Sequence, residues 1–450
     1  MNDTSVRLSE SSAEESTYLL SEPEFKVEGV SNRYRWYVFT VLFLLMMFDY
    51  ADRMVLSSVQ ELIKVEWDLT DAQLGMFSTI IWVTVGFLAL PVSVIVDRWS
   101  RRKSISIMAV TWSLACMASR FATGFGQLLT LRGILGAGEA GYSSGAYPLL
   151  SAYFSREHRA RILGFFNTSI PIGGGLGMML GGLIAAHWGW RAAFGVVAIP
   201  GLIFAVLAWF IKDYENVPIE SSSQSPVKTS LKEMWKILKI PTFMFNTIGS
   251  MCHDIAYTGL MVWNVSFISR TRPDMTNKSA AMMAGLIMLM ALIGAPLGGL
   301  IADWFYKKTP KGRNYTAAIS CSLMSVMVLF YCQAVEAESL AFFIGVGLIT
   351  GITITLYMAA DNAINQDIVD QRHRGMVWGL RMFFTFALGG GVGILLTGVL
   401  SDMFDSLKLS IMVISSFGFI SAISYIIGSR FYEQDLANVK VFKLGTEKKD

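Results

Sequence analysis

Asp49, Asp52 and Arg53 stand inside an apolar run at 36–58, and Arg132 and Glu139 inside another at 128–154. His253 and Asp254 interrupt the run at 242–268, Asp361 the run at 340–368 and Arg381 the run at 376–400. An ionised group at the centre of a bilayer costs about 2.5–3.5 kcal/mol on insertion scales, so such groups face protein or a wet cavity and pair with one another. Two kinds of chemistry suit them. A carboxylate caught between desolvation, which favours its neutral form, and a guanidinium, which favours its charge, can load and release a proton. Glu139 is the first candidate, followed by Asp52 and Asp49, with Asp254 and His253 in the second half. A guanidinium can hold an anionic head group, and Arg53, Arg132 and Arg381 are candidates. Arg132 and Glu139 are two helical turns apart and share one face, which should line a path.

Helices long enough to cross a bilayer must position these groups. The chain has 450 residues, 53% hydrophobic and 16% charged, too apolar for a soluble globule. Runs of about 20 apolar residues fall at 36–58, 74–96, 104–122, 128–154, 162–186 and 192–211. After a polar stretch they resume at 242–268, 280–305, 315–333, 340–368, 376–400 and 409–427. The expected architecture is all-α: twelve transmembrane helices in two pseudo-symmetric six-helix bundles. The divisions are a tail at 1–34, bundles at 35–212 and 240–432, a linker at 213–239 and a tail at 433–450. Lys and Arg gather in one set of loops, around Arg98–Lys103, Arg156–Arg161, Lys307–Arg313 and Arg372–Arg374, which predicts cytoplasmic termini. A repeat supports two related halves. Gly136, Tyr142, His158 and Arg159 recur as Gly351, Tyr357, His373 and Arg374, Gly173–Gly177 returns as Gly389–Gly393, and Pro91…Asp97 answers Pro296…Asp303.

Asp97 with Arg101 and Arg102 reads as a conformational latch at a helix end, with Asp303, Lys307 and Lys308 as its second copy. Asp361 and Arg381 read as a gate. Tyr142, Tyr357 and Trp263 are candidate solute contacts, the tyrosines because the repeat puts them at matching places. Gly136-Ala-Gly138-Glu-Ala-Gly141 copies a dinucleotide fingerprint but sits in mid-helix with no strand before it, so its glycines are assigned to close helix packing. The four cysteines lie in apolar segments without paired spacing and support neither a disulfide framework nor a metal site. The net charge of +3, with its bases in short clusters, argues against nucleic acid as a partner. No H-E-x-x-H, G-x-S-x-G or P-loop is present, so neither an enzyme nor a cofactor is expected, and no cleavable signal peptide is visible. Glu15-Ser-Thr-Tyr-Leu19-Leu20 fits an acidic dileucine address, which would move the chain from the cell membrane to an endolysosomal one.

These motifs resemble the major facilitator superfamily. Asp97-Arg-Trp-Ser-Arg101-Arg102-Lys103 is similar to its D-R-x-x-R-[RK] loop, Arg132-x-x-x-Gly136-x-Gly138 to its fourth-span signature and Trp190-Arg191-Ala-Ala-Phe194 to its W-R-x-x-F element. Ser93 replaces the usual glycine four before Asp97, whereas Gly299 is kept before Asp303. Within the superfamily, Asp49-Tyr-Ala-Asp52-Arg53, Arg132-Gly-Ile-Leu-Gly-Ala-Gly-Glu139-Ala-Gly-Tyr142-Ser143 and Trp263…Arg270 resemble the spinster-like branch, with Asp49 in place of its usual Asn. The organic-anion symporter branch shares part of these elements. The resemblance implies a monomeric, proton-linked carrier of amphiphilic lipids such as lysophospholipids or sphingoid phosphates, embedded in membrane lipid. The alternatives are a small organic-anion/proton symporter, a multidrug exporter, or a receptor or scaffold that keeps the shape without flux.

Overall fold

A computed structural model of the chain describes residues 30–213, 234–369 and 374–439. Joining helices that continue through a kink gives twelve long paths. In the first half they are α1 (Asn32–Trp67), α2 (Asp71–Arg98), α3 (Arg101–Ala118), α4 (Phe125–Glu139, then Tyr142–Tyr153), α5 (Arg156–Asn167, then Ser169–Trp188) and α6 (Trp190–Trp209). The second half has α7 (Pro241–Thr271), α8 (Asn277–Leu289, then Ala291–Tyr306), α9 (Gly312–Ala334) and α10 (Leu340–Thr353, then Met358–Asp367). It closes with α11 (Arg374–Met382, a π-helical stretch Phe383–Gly391, then Val392–Phe404) and α12 (Leu407–Ser415, then Phe417–Gly428). Among the described residues nine helices are long and apolar enough to cross a membrane. The other three paths, α1, α4 and α7, are those carrying Asp49, Asp52, Arg53, Arg132, Glu139, His253 and Asp254. Their charge and polarity lower their hydropathy, and α4 breaks after Glu139.

Two boundaries differ from the sequence reading. The first helix runs from Asn32 to Trp67, 36 residues, or about 54 Å at 1.5 Å per residue. Arg53 therefore sits well inside it and not near its end. A short helix, α13 (Tyr432–Asn438), follows α12 where a tail was expected, and Tyr432 is fully buried. The dileucine pattern and most of the linker lie outside the described residues.

Glycines set how the halves are built. A Cβ on Gly177 would lie 2.5 Å from the Ala51 carbonyl oxygen, so α5 presses backbone to backbone on α1. Gly393 does the same on α7, meeting Ile255, so the two glycine runs of the repeat hold equivalent helix pairs. Between the halves, α2 packs along α11 and α5 along α8, while α1 meets α7. Along the α2–α11 seam a Cβ on Gly390 would stand 2.7 Å from the Trp82 ring, within the π-helical turns. Such turns recur at functional sites because they displace the backbone ladder by one residue. Here they also bring Gly389 against Asp254 of α7, where an added Cβ would lie 3.1 Å from the Asp254 Cβ.

The end where α1 begins and α12 finishes is called the terminal face, and the opposite end the far face. The first half's terminal end is tied tightly: Tyr37 donates to Leu207 O at 3.0 Å, Tyr153 to Lys212 O at 2.6 Å and Ser100 to the Asp213 carboxylate at 2.7 Å.

Candidate functional site

Four charge clusters lie within the bundles. In the first, Arg53 Nε of α1 stands 2.7 Å from Glu139 Oε2 of α4, and another guanidinium nitrogen lies 3.4 Å from Asp49 Oδ2. All three residues are buried, and Asp49 and Glu139 also touch each other. The guanidinium covers the Tyr50 ring at 4.8 Å and reaches the Trp82 indole of α2 at 5.9 Å. Trp82 in turn packs at 4.5 Å on Phe386 of α11, in the second half, and Tyr50 lies within electrostatic reach of Asp254 on α7. This cluster therefore borders the seam. It holds two acids and one base, and Asp49 Oδ1 and Glu139 Oε1 have no hydrogen-bond partner among the described residues.

The second cluster turns away from the seam. Arg132 is fully buried, lies over the Phe194 ring of α6 at 4.4 Å and donates to the backbone carbonyl of Asp52 at 3.4 Å. The Asp52 carboxylate lies beside the Cys116 thiol of α3, and neither of its oxygens has a well-formed hydrogen bond among the described residues. Arg132 and Glu139 thus share a helix yet serve different neighbours.

In the second half, Arg381 of α11 pairs with Asp361 of α10, which also accepts from Ser250, Tyr425 and Asn365 at 3.1, 2.8 and 3.0 Å. Asp254 accepts from Tyr357 at 3.2 Å. His253 is buried behind it: its Nε2 meets the Ile354 carbonyl at 3.1 Å, its Nδ1 the Cys321 thiol at 3.5 Å, and its ring packs, tilted, against Tyr357 at 3.7 Å between centroids. Every polar atom of the imidazole is therefore engaged in packing.

Two of the candidate solute contacts take part in helix packing. Tyr142 donates its hydroxyl to Leu42 O at 2.6 Å and stands edge-on to Trp112, so it braces α4 on α1 and α3. Trp263 is fully buried and donates to Ile394 O at 3.0 Å, which makes it part of the α7–α11 packing. Of the expected latches, the Asp97 side chain lies outside the described residues. Arg102 reaches Ile211 O at 3.2 Å, and Arg101 is half-buried with a polar or aromatic contact. Asp303 is exposed and meets Arg313 at 3.7 Å.

The sequence reading missed a fourth cluster, at the far face. Arg270 of α7 binds Asp71 of α2 at 2.6 Å and Glu61 of α1 at 2.7 Å, and Lys64 and Ser401 add bonds to Asp71 at 2.6 Å each. The Asp402 carboxylate of α11 accepts the first N–H groups of α2, from Asp71 at 2.9 Å and Ala72 at 2.8 Å. A helix N-terminus offers unpaired donors and partial positive charge, so the second half caps a helix of the first. Gln60 donates to Ser266 at 2.5 Å and Asn277 to Ser58 O at 2.8 Å beside it. Nearby, the Trp190 indole and Arg191 hydrogen-bond Glu66 and hold its carboxyl below the ordinary carboxylate value.

Twelve helical paths in two related halves, joined along helix seams with charges at the centre, define a multi-pass membrane transporter. The Major Facilitator Superfamily model matches residues 42–394, and the chain belongs to that superfamily. The hexuronate transporter of Bacillus subtilis (strain 168) is 27% identical over 81% of this chain and 87% of its own. Protein spinster homolog 1 of Xenopus tropicalis is 24% identical over 93% of this chain and 85% of its own. Protein spinster of Drosophila melanogaster is 27% identical over 68% of this chain and 52% of its own length. Among solved structures, a bacterial homolog of the human lysosomal transporter Spinster, in an inward-facing and unoccupied conformation, aligns with a TM-score of 0.78. It is 20% identical, covering 90% of this chain and 99% of that one. The chain is thus a transporter of this superfamily, similar both to spinster proteins and to a hexuronate transporter, and not an enzyme.

Proposed function

We propose that the chain is a proton-coupled secondary carrier working by alternating access, moving an organic solute with an anionic or zwitterionic head. The observation that carries the reading is Arg53 shared between Glu139 and Asp49 at the seam. Two carboxylates against one guanidinium leave a surplus negative charge in a dry site, and a single proton removes it. Protonating Glu139 weakens its hold on Arg53, whose guanidinium then meets an anionic head group. Loss of the proton restores the pair and expels the anion. Proton and anion therefore move together. Asp254 with Tyr357 offers a second protonatable group across the seam, and Arg381 with Asp361 a gate within the second half.

The terminal face is assigned to the cytoplasm from the lysine and arginine bias, with the cell membrane as the setting. The far face, closed by the Arg270 and Asp402 bonds, is then the outer gate, and the conformation is inward-facing. The fold likeness to an inward-facing spinster homolog supports this. An amphiphilic, lysophospholipid- or sphingoid-like solute suits a wall of apolar rings: Phe43, on the α1 face that also carries Met47 and Tyr50, stacks on Phe165 of α5 at 5.7 Å. The second reading is a small organic acid, favoured by the similarity to a hexuronate transporter.

Uptake into proteoliposomes with an imposed pH gradient tests this, with lysophospholipid and hexuronate as the two solutes. Glu139→Gln is expected to lose gradient-driven accumulation at least tenfold while keeping solute exchange without a gradient. Unchanged dependence on the gradient would remove Glu139 from coupling.

A further inference from the structure

Three exposed tryptophans near the terminal face each carry a lysine four residues on, its ammonium lying over the indole. The pairs are Trp99 with Lys103 at 5.9 Å, Trp235 with Lys239 at 5.7 Å and Trp304 with Lys308 at 3.4 Å. The tryptophans are 51%, 61% and 53% exposed, more than packing within the bundles requires. Two pairs occupy matching turns of the halves, between α2 and α3 and between α8 and α9, and keep the spacing that relates Pro91 to Pro296. The third lies on the short helix at 234–238 and the residue that follows it, where the linker enters the second half.

An indole is stable at the headgroup level of a bilayer, where its ring is apolar and its N–H is wet. A lysine beside it runs its stem along apolar surface and keeps its ammonium at the same level. Resting on the ring, the ammonium still presents N–H donors outward, and cation–π attraction fixes its direction. Among the described residues, Asp213 is engaged by Ser100 and the Arg102 amide, and Asp303 by Arg313. What fits three ring-backed ammonium groups at one interface is an oxyanion attached to acyl chains.

We propose that these three Trp–Lys pairs are docking points for the phosphodiester of anionic phospholipids in the leaflet at the terminal face. The indole lies against the glycerol and first acyl carbons, and the ammonium meets the phosphate. A choline lipid brings its own cation to that phosphate and competes poorly. Because the two turn sites belong to opposite halves, both halves are tethered to the same leaflet through equivalent turns.

Native mass spectrometry of the purified full chain tests this, with phosphatidylglycerol and phosphatidylcholine added in parallel and glycerophosphate as a third arm. Wild type is expected to retain phosphatidylglycerol in preference to phosphatidylcholine. The triple variant Lys103→Gln, Lys239→Gln and Lys308→Gln should retain it at least fivefold more weakly, with phosphatidylcholine unchanged and arginine at the three positions restoring retention. Lys307→Gln with Lys311→Gln, charges without an indole beneath them, should change nothing. Equal retention by the triple variant overturns the proposal. So does an equal loss in the Lys307/Lys311 control, which would mean diffuse charge, or equal binding of glycerophosphate, which would mean a site for soluble phosphate. The lysines are exposed or half-buried, and unaltered melting of each variant shows that the comparison is between folded proteins.

Discussion

Arg132 and Arg53 show how far residue type alone carries. Both are legible as functional charges because nothing else in an apolar run justifies the cost of burying them. Their partners are not legible. Asp52 and Arg53 are neighbours on α1 and point about 100° apart, so one turns toward α3 and α6 and the other toward the seam. Sequence spacing placed Arg132 and Glu139 on one face but could not say that α6 would supply Phe194 for the first and α1 Arg53 for the second. We read Arg132, over the Phe194 ring and bonded to the Asp52 carbonyl, as a packing charge, and this can be tested. Arg132→Met removes the donor to the Asp52 backbone carbonyl and the cation near its carboxylate, which should lower the melting temperature of the purified protein. Adding Asp52→Asn removes the stranded charge and should recover most of the loss. A double variant as unstable as the single would mean that Arg132 contributes by packing on Phe194 and not by charge.

The elements that close the far face are the start of α2 and the ends of α1, α7 and α11. Of these only the end of α7, with Arg270, was picked out by sequence, and as a resemblance rather than a closure, for a physical reason. Asp71 and Asp402 are 331 residues apart, and an acid in the first turn of a helix is commonplace because it suits the helix dipole. What makes this one unusual is that the cap comes from the other half. Thr70 and Gln73 already form a capping box at the same terminus, so α2 keeps its own start when the halves separate. Asp402 is therefore free to act as a latch. Asp402→Asn is expected to weaken the closed far face by about 1 kcal/mol, roughly a fivefold shift toward the far-open state. Arg270→Gln, which removes bonds to both Asp71 and Glu61, should shift it further. Labelling of a cysteine placed at Thr79, below the latch and bonded to Gly391 O at 3.1 Å, by a membrane-impermeant thiol reagent reads the change. Equal labelling in both variants and the parent would make the cluster decorative. The glycine runs, by contrast, were legible as packing devices. The repeat placed them, and α5 on α1 and α11 on α7 use them alike.

For the whole molecule, the polar bonds traced between the halves gather at the far face, with Thr79–Gly391 nearer the middle, and the protonatable pairs lie below them on the terminal side. In the proposed alternating-access cycle, such an arrangement requires α1 and α7 to separate at their far ends. Gln60 and Ser266 are the pair on which to test it, because their side chains meet at 2.5 Å across that contact. Cysteines at both positions, joined by a short reducible bis-thiol linker that replaces the extra length of the Gln60 side chain, should hold the far face shut. Cys116, Cys321 and Cys332 are buried and Cys252 is half-buried, so replacing Cys252 gives a quiet background for the pair. With the bridge formed, gradient-driven uptake should fall at least tenfold, and reduction should restore it. Solute binding from the terminal side should persist in the bridged protein, since nothing at Arg53, Glu139 or Asp254 is touched. Full uptake through a quantitatively bridged protein would mean that the two halves do not rock about the central pairs, and the coupling assigned to Glu139 would then need a different moving part.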